Sequence, residues 1–340
     1  MTTAPAGAPE RRDISPGQPD RPAPRGRRPM TASRRANRAG LAFVSPTFLV
    51  VLVVVILPIL WTVLLAFQDA KLVDIQGMGL FGNWSLDNFT QVLDSAGFWS
   101  SLGTTLVYTA GATLGSIVLG LIAALALRRP FRGRGLLRAA MLLPYVAPVV
   151  AVAFVWEVAL SPQYGIVNDW GRRLFGWDDP IAFLSTREYE VHLLGLHFDI
   201  PLALLTVIAF ECWRYFPFAF LFILARLQAV PDGLEEAALV DGATLTQRFR
   251  HVLLPQLMPV IALLCVLRFI LTFNKFDDIY LLTGGGSGTD VAAIRVYDFL
   301  TARYDVGAAS AQALLLAVSL MILLGLYFKF FGNKVQEESS

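Results

Sequence analysis

Charge is scarce in this chain of 340 residues: Asp, Glu, Lys and Arg make up 16% of it, while 55% is hydrophobic and the mean hydropathy is +0.57. Soluble domains carry roughly a quarter charged residues, so the composition excludes an ordinary soluble protein and indicates an integral membrane protein. Cysteine is nearly absent. Cys212 and Cys265 both lie in apolar runs, which argues for two free thiols in membrane-embedded helices and against a disulfide framework. Histidine is nearly as rare, with three residues. His192 and His197 have a loose zinc-like spacing without further ligands, His251 stands apart, and no metal site is expected. The chain lacks a GxxxxGK[ST] phosphate loop. The glycine-rich run Gly284–Gly288 has no Lys after it and reads as a flexible turn, so no bound ATP or other cofactor is expected. No internal repeat is visible, and no nucleophile beside a base stands out, so the chain reads as a non-enzyme; the alternative, an intramembrane enzyme, would need paired catalytic groups at one depth.

Long apolar runs are abundant. Six are long enough, or nearly so, to cross roughly 30 Å of hydrocarbon as helices: Leu41–Phe67, Leu102–Leu127, Leu136–Leu160, Pro201–Leu227, Leu257–Leu282 and Ala308–Phe331. Backbone groups in lipid must bond within their own segment, so the expected class is all-α. The first run is too long for a cleaved signal peptide. Before it, residues 1–40 are rich in Arg, Pro, Ala and Gly and cannot bury a core, which reads as a disordered tail that sets topology and gives no reason to expect nucleic acid. The organisation expected is therefore a tail 1–40, a membrane domain 41–332 and a short tail 333–340.

The connections orient the chain. Arg128, Arg129, Arg132, Arg134 and Arg138 follow the second run with no acid among them, and Lys329 and Lys334 follow the sixth. Asp69, Asp74, Asp87, Asp94, Asp178, Asp179, Glu188, Glu190, Asp298 and Asp305 lie in the other connections, which are aromatic and carry turns such as Gly82-Asn83-Trp84. The positive-inside rule then puts both termini in the cytoplasm, with Ser161–Ile200 as an outer cap holding one interfacial helix near Ile166–Phe175.

The same rule makes the stretch Val230–Pro259 cytoplasmic. Asp232 followed by Glu235 reads as a capping box, Gly242 as a left-handed helix end, and Thr244 followed by Gln247 as a second box. Leu245, Phe249, Val252 and Leu253 share one face of the second helix, which Pro255 is expected to break. Such a stripe needs a cover, either the chain's own bundle or a partner.

Two runs also carry charge in their interiors. Glu211, Arg214, Tyr215 and Phe218 fall on one face of the fourth run, and Arg268, Thr272 and Lys275 on one face of the fifth. A charge at mid-bilayer costs about 2.5–3.5 kcal/mol on insertion scales, so both faces should meet protein or water. One reading is structural, an ion pair of Glu211 with Arg214 and Lys275 snorkelling outward. The other is a solute cavity, with Tyr215 and Phe218 against the apolar faces of a sugar and Glu157 near its rim.

The order Glu236-Ala237-Ala238, Asp241-Gly242-Ala243, Val252 and Leu254-Pro255 resembles the EAA loop of binding-protein-dependent ABC importer permeases. Met141–Tyr145, Trp156, Pro162–Asn168 and Leu282–Gly286 extend the likeness over about Leu41 to Phe331 and match the carbohydrate branch, specifically its maltose-type first permease subunit. Ser287 departs from it, where that branch often has Pro. The resemblance implies a type I ABC importer transmembrane domain of six helices with a cytoplasmic coupling helix. It implies ATPase coupling through Glu235, Glu236, Ala237, Ala238, Asp241, Gly242, Ala243 and Pro255, and it puts the solute path on the two charged faces. It further implies a second, similar permease, an ATPase dimer holding ATP-Mg, an external solute-binding protein, a sugar as substrate, and a bacterial or archaeal plasma membrane. The alternatives are a permease for a non-sugar solute such as glycerol phosphate, or a secondary transporter, for which broken helices or inverted repeats would be expected.

Overall fold

A computed structural model describes residues 43–73, 84–193 and 196–337. The expected tail 1–40, the turn at Gly82-Asn83, and Asp74 lie outside the described residues. Helix α1 (Phe43–Ala66) is the most apolar of the long helices and holds a π-helical turn at Leu52–Ile56. The chain divides into two units between Pro58 and Ile59, within α1. The second holds all the remaining elements. It continues with α2 (Asp87–Leu93), α3 (Ala96–Ala126), α4 (Arg134–Val146), α5 (Val149–Leu160), α6 (Ile166–Phe175), a hairpin of β1 (Tyr189–Leu193) and β2 (Leu196–Ile200), and α7 (Leu202–Gln228). Then come α8 (Asp232–Val240), α9 (Leu245–Phe273), α10 (Asp277–Thr283), α11 (Ala292–Thr301) and α12 (Val306–Glu337).

Helices α1, α3, α7, α9 and α12 are each long and apolar enough to cross a membrane, and α4 with α5 makes a sixth span if the pair, bent by 96°, is taken as one. The straight span expected over Leu136–Leu160 is thus corrected. Pro148 holds the preceding Ala147 extended, at φ −65° and ψ 144°, and stands itself at the N-cap of α5. The span expected over Leu257–Leu282 is corrected at both ends. The helix that carries it begins at Leu245, and it stops at Phe273, before Asn274, Lys275, Asp277 and Asp278, after which α10 sets off separately. Pro255 does not break the helix: it follows a π-helical turn at Phe249–Leu253, and that widened turn accommodates a residue with no N–H to donate. The antiparallel hairpin, with His192 opposite His197, departs from the purely helical expectation.

Helices α3 and α7 form the main packing pair. A Cβ at Gly111 would touch Ile208, one at Gly115 would clash with Cys212, and one at Gly120 would lie 2.7 Å from the Cβ of Ala219, so glycine is what lets the two backbones approach. The apolar interior falls into two main clusters. One, towards the α8 end of α7, gathers Ala124, Leu127, Phe220, Ile223, Leu253 and Leu257. The other, towards the hairpin end, gathers Tyr108, Val152, Val207, Phe210, Ile279 and Ile294. Glu211 and Arg214 lie between them along α7.

Candidate functional site

At the far end of α7 the chain turns through Pro231 into α8. Pro231 occupies the N-cap and Asp232 is the first helical residue, so α8 starts one residue earlier than the box expected at Asp232 and Glu235 would place it. The Glu235 carboxylate is instead held by Arg128, which follows α3: Nη2 donates to Oε2 at 2.8 Å and Nη1 donates to Oε1. The rest of the loop follows the sequence grammar. Gly242 has φ +74°, its N–H reaches the carbonyl of Leu239, and the N–H of Ala243 reaches that of Ala238 at 2.9 Å, a Schellman ending that uses the one residue type free to adopt that conformation. Thr244 and Gln247 then form a reciprocal capping box that starts α9. Leu253 is buried and Phe249 packs against the same apolar cluster, whereas Leu234, Leu239, Val240 and Leu245 are exposed. Glu236 and Asp241 are also exposed. The bundle therefore covers part of the expected stripe and leaves an apolar patch open.

Between the apolar clusters the charges pair across helices. Glu211 accepts from Arg268 Nη2 at 2.7 Å with both residues fully buried, and Arg214 Nε stands 3.8 Å from Oδ1 of buried Asp278. The ion pair expected between Glu211 and Arg214 is therefore corrected. Those two share an α7 face, but partners on α9 and α10 supply the opposite charges. Nor does Lys275 snorkel outward: it donates to Tyr215 Oη at 2.5 Å and to Asp278 Oδ2 at 3.0 Å. The Tyr215 ring carries the Arg268 guanidinium at 4.2 Å and the Lys275 ammonium at 4.5 Å from its centroid, a cation–π contact on each. Tyr145, at the end of α4, meets Tyr215 edge-on at 5.8 Å and Phe218 at 6.1 Å.

The layer holds more polar capacity than it uses. Thr272 is buried, and its Oγ1 has no hydrogen-bond partner among the described residues; the same is true of Glu211 Oε2, Arg214 Nη1, Asp278 Oδ1, Tyr108 Oη and Thr109 Oγ1. Buried polar atoms are nearly always satisfied, so such a concentration is where water or a polar solute is chemically at home. Nearer the hairpin end, Glu157 lines a separate cavity of ≈ 390 Å³ with Gln163, Tyr164, Phe183, Ser185 and Ser287. Ser287 has φ +53°, which proline cannot adopt, and its hydroxyl donates to the Ser185 carbonyl at 2.9 Å, so the departure noted at this position is built into the turn.

Residues 116–337 match the family described as binding-protein-dependent transport system inner membrane component. The chain belongs to this family. The inner membrane ABC transporter permease protein YcjO of Escherichia coli strain K12 is 37% identical over 259 residues, covering 73% of this chain and 81% of that protein. The trehalose/maltose transport system permease protein MalF of Thermococcus litoralis is 33% identical over 296 residues, covering 87% and 94%. In fold, the chain is similar to one from a bacterial ABC transporter involved in the import of the acidic polysaccharide alginate, with a TM-score of 0.73 at 22% identity and coverage of 90% and 98%. The chain is thus a multi-pass inner-membrane permease of the binding-protein-dependent type, and its long apolar helices are membrane spans. Three groups at this permease's sites were not assigned to a site from the sequence: Arg128 beside α8, Tyr145 on the aromatic cluster, and Asp278, shared by Arg214 and Lys275. Asp278 had a signal, since Asn274, Lys275, Asp277 and Asp278 interrupt an apolar run.

Proposed function

We propose that this permease forms part of the solute path of an ATP-driven sugar importer, with both termini in the cytoplasm. The observation that carries the reading is the buried layer of unsatisfied hydroxyls, carboxylates and guanidinium groups beside Tyr145, Tyr215 and Phe218. Sugars bind by hydroxyl hydrogen bonds with an aromatic ring against their apolar faces, and this layer offers both chemistries in the middle of otherwise apolar spans. Glu211, Arg214, Arg268, Thr272 and Lys275 supply donors and acceptors. The name of the Thermococcus relative, a trehalose/maltose permease, supports a sugar over a phosphorylated solute.

In this reading an external binding protein delivers the solute, a second, similar permease completes the path, and an ATPase dimer holding ATP-Mg docks on the exposed side of α8. Glu236, Ala237, Ala238, Asp241, Gly242 and Ala243 present that docking surface, with Leu239 and Val240 as its apolar anchors. Glu235 faces inward to Arg128, and Pro255 lies within α9. Moving a two-state bundle from about 1:99 to 99:1 takes roughly 5.5 kcal/mol of differential binding, a task for nucleotide-driven closure of the ATPases. The test is uptake by proteoliposomes that hold the complete transporter, with labelled trehalose, maltose and glycerol 3-phosphate each offered to its binding protein. Uptake of a disaccharide that Tyr215→Ala and Phe218→Ala abolish, with ATPase docking intact, is the expected result. Uptake of glycerol 3-phosphate alone would overturn the sugar assignment.

A further inference from the structure

We infer that the Arg128–Glu235 ion pair is the link by which α8 drives α4, and that α4 is a lever whose far end, Tyr145, opens and closes the aromatic side of the buried layer. The inference rests on the reading of α8 as the ATPase-docking helix.

Apart from this ion pair, α8 is loosely held. It rests on the start of α9, its apolar residues Leu239 and Val240 are exposed, and a cavity of ≈ 400 Å³ lined by Arg128, Arg129, Leu227, Pro231, Glu235 and Glu236 lies beside it. Across that gap runs a two-pronged guanidinium–carboxylate contact, half-buried on both sides. Fork-on-fork geometry resists sliding and rotation in a way that a single ammonium contact does not.

Arg128 is in turn anchored to α4. Its own carbonyl accepts from Arg134 Nη1 at 3.1 Å, and the Leu127 carbonyl accepts from Arg138 Nη2 at 2.8 Å. Arg134 and Arg138 lie in the first turns of α4. The end of α3, the start of α4 and Glu235 of α8 are therefore tied at one point by three arginines, which explains the cluster by something more local than topology alone.

The shape of α4 turns that anchor into a lever. Its first turns are largely exposed, with Leu136 and Leu137 open, while its last turn packs on α7 and presents Tyr145 to Tyr215 and Phe218. Just beyond Tyr145 the chain bends by 96° at Ala147 and Pro148. A helix pulled at one end and hinged at the other turns about the hinge, and here the ring beside the hinge, Tyr145, belongs to the candidate solute site and is re-aimed as the helix turns.

Spin labels report this without a transported solute. In a Cys212→Ala, Cys265→Ala background of the complete transporter, cysteines at Gly233 on α8, Gly135 on α4 and Gly103 on α3 each point into open space. Distances are measured for the Gly103–Gly233 and Gly103–Gly135 pairs with and without ATP and vanadate. Both should change in the otherwise native chain by roughly 2–5 Å, between a helix slide and a one-turn shift. In Arg128→Gln or Glu235→Gln the Gly233 pair should still respond and the Gly135 pair should not. The swap Arg128→Glu with Glu235→Arg should restore it. A Gly135 response that persists in the single variants, or that is missing in the native chain while Gly233 responds, overturns the lever. Absence of any response at Gly233 in the native chain sinks the docking role of α8 itself, a separate failure.

Discussion

The Glu211–Arg268 contact joins two side chains that each forfeit several kcal/mol of hydration on burial, and their attraction repays this only while both are present. Removing one partner is therefore worse than removing both. Arg268→Ala should destabilise the bundle by about 3–5 kcal/mol, because it strands the buried Glu211 carboxylate without its cationic partner. A Glu211→Gln, Arg268→Gln double variant should recover most of that loss, since it keeps bulk and leaves no net charge. Thermal unfolding of the purified permease in detergent measures both, and equal losses in the single and double variants would count against the pair. Arg214→Ala is expected to be milder, although helical spacing alone, which puts Arg214 beside Glu211, suggests the reverse. Arg214 sits 3.8 Å from Asp278, and Asp278 keeps Lys275 at 3.0 Å when Arg214 is gone.

Elements whose rules are local are legible in the sequence. Gly242 ends α8 in the left-handed conformation, Thr244 and Gln247 cap α9, and α6 occupies the residues expected for the interfacial helix of the outer cap. Elements that depend on a partner are not. Spacing at i, i+3 puts Glu211 beside Arg214, but which charge meets which is decided by helix crossings that spacing does not encode. The bend at Pro148 is hidden because apolarity continues on both sides of it. The α8 turn gives a sharp prediction. Gly242→Ala must hold a Cβ at φ +74°, a conformation costing roughly 1–2 kcal/mol for an L residue, whereas Gly242→Asn is tolerated better. Amide exchange over α8 should rise in the first variant and much less in the second. Equal exchange in both would mean that the turn does not depend on glycine. The α3–α7 contact gives another. Gly120→Val should cost at least the ~1–3 kcal/mol typical of overpacking, because its Cβ would come within 2.8 Å of the backbone nitrogen of Phe220, which cannot rotate away. Loss of folded monomer on size exclusion is the readout, and wild-type recovery would show that the helices part there at little cost.

At the scale of the whole molecule, the distribution of charge and the position of α8 independently favour one orientation. Arg128, Arg129, Arg132, Arg134 and Arg138 cluster at the end of the bundle that carries α8, while the opposite end carries the hairpin, α6 and the acids Asp178, Asp179 and Glu188. Arginines near span ends resist translocation, which in the proposed orientation keeps that end in the cytoplasm, and a helix that docks an ATPase must lie on the side where ATP is. An inverted orientation would contradict both, so one experiment tests them together. In a chain lacking Cys212 and Cys265, single cysteines at Gly135 and Gly233 should ignore an impermeant thiol reagent in intact cells and react after permeabilisation. A cysteine at Leu174 on α6, 71% exposed, should react in intact cells. The informative comparison is the ratio before and after permeabilisation at each position, which cancels intrinsic reactivity. A high ratio at Gly233 in intact cells would place α8 outside, remove it from reach of any cytoplasmic ATPase, and leave its exposed Leu239 and Val240 to be explained by an external partner instead.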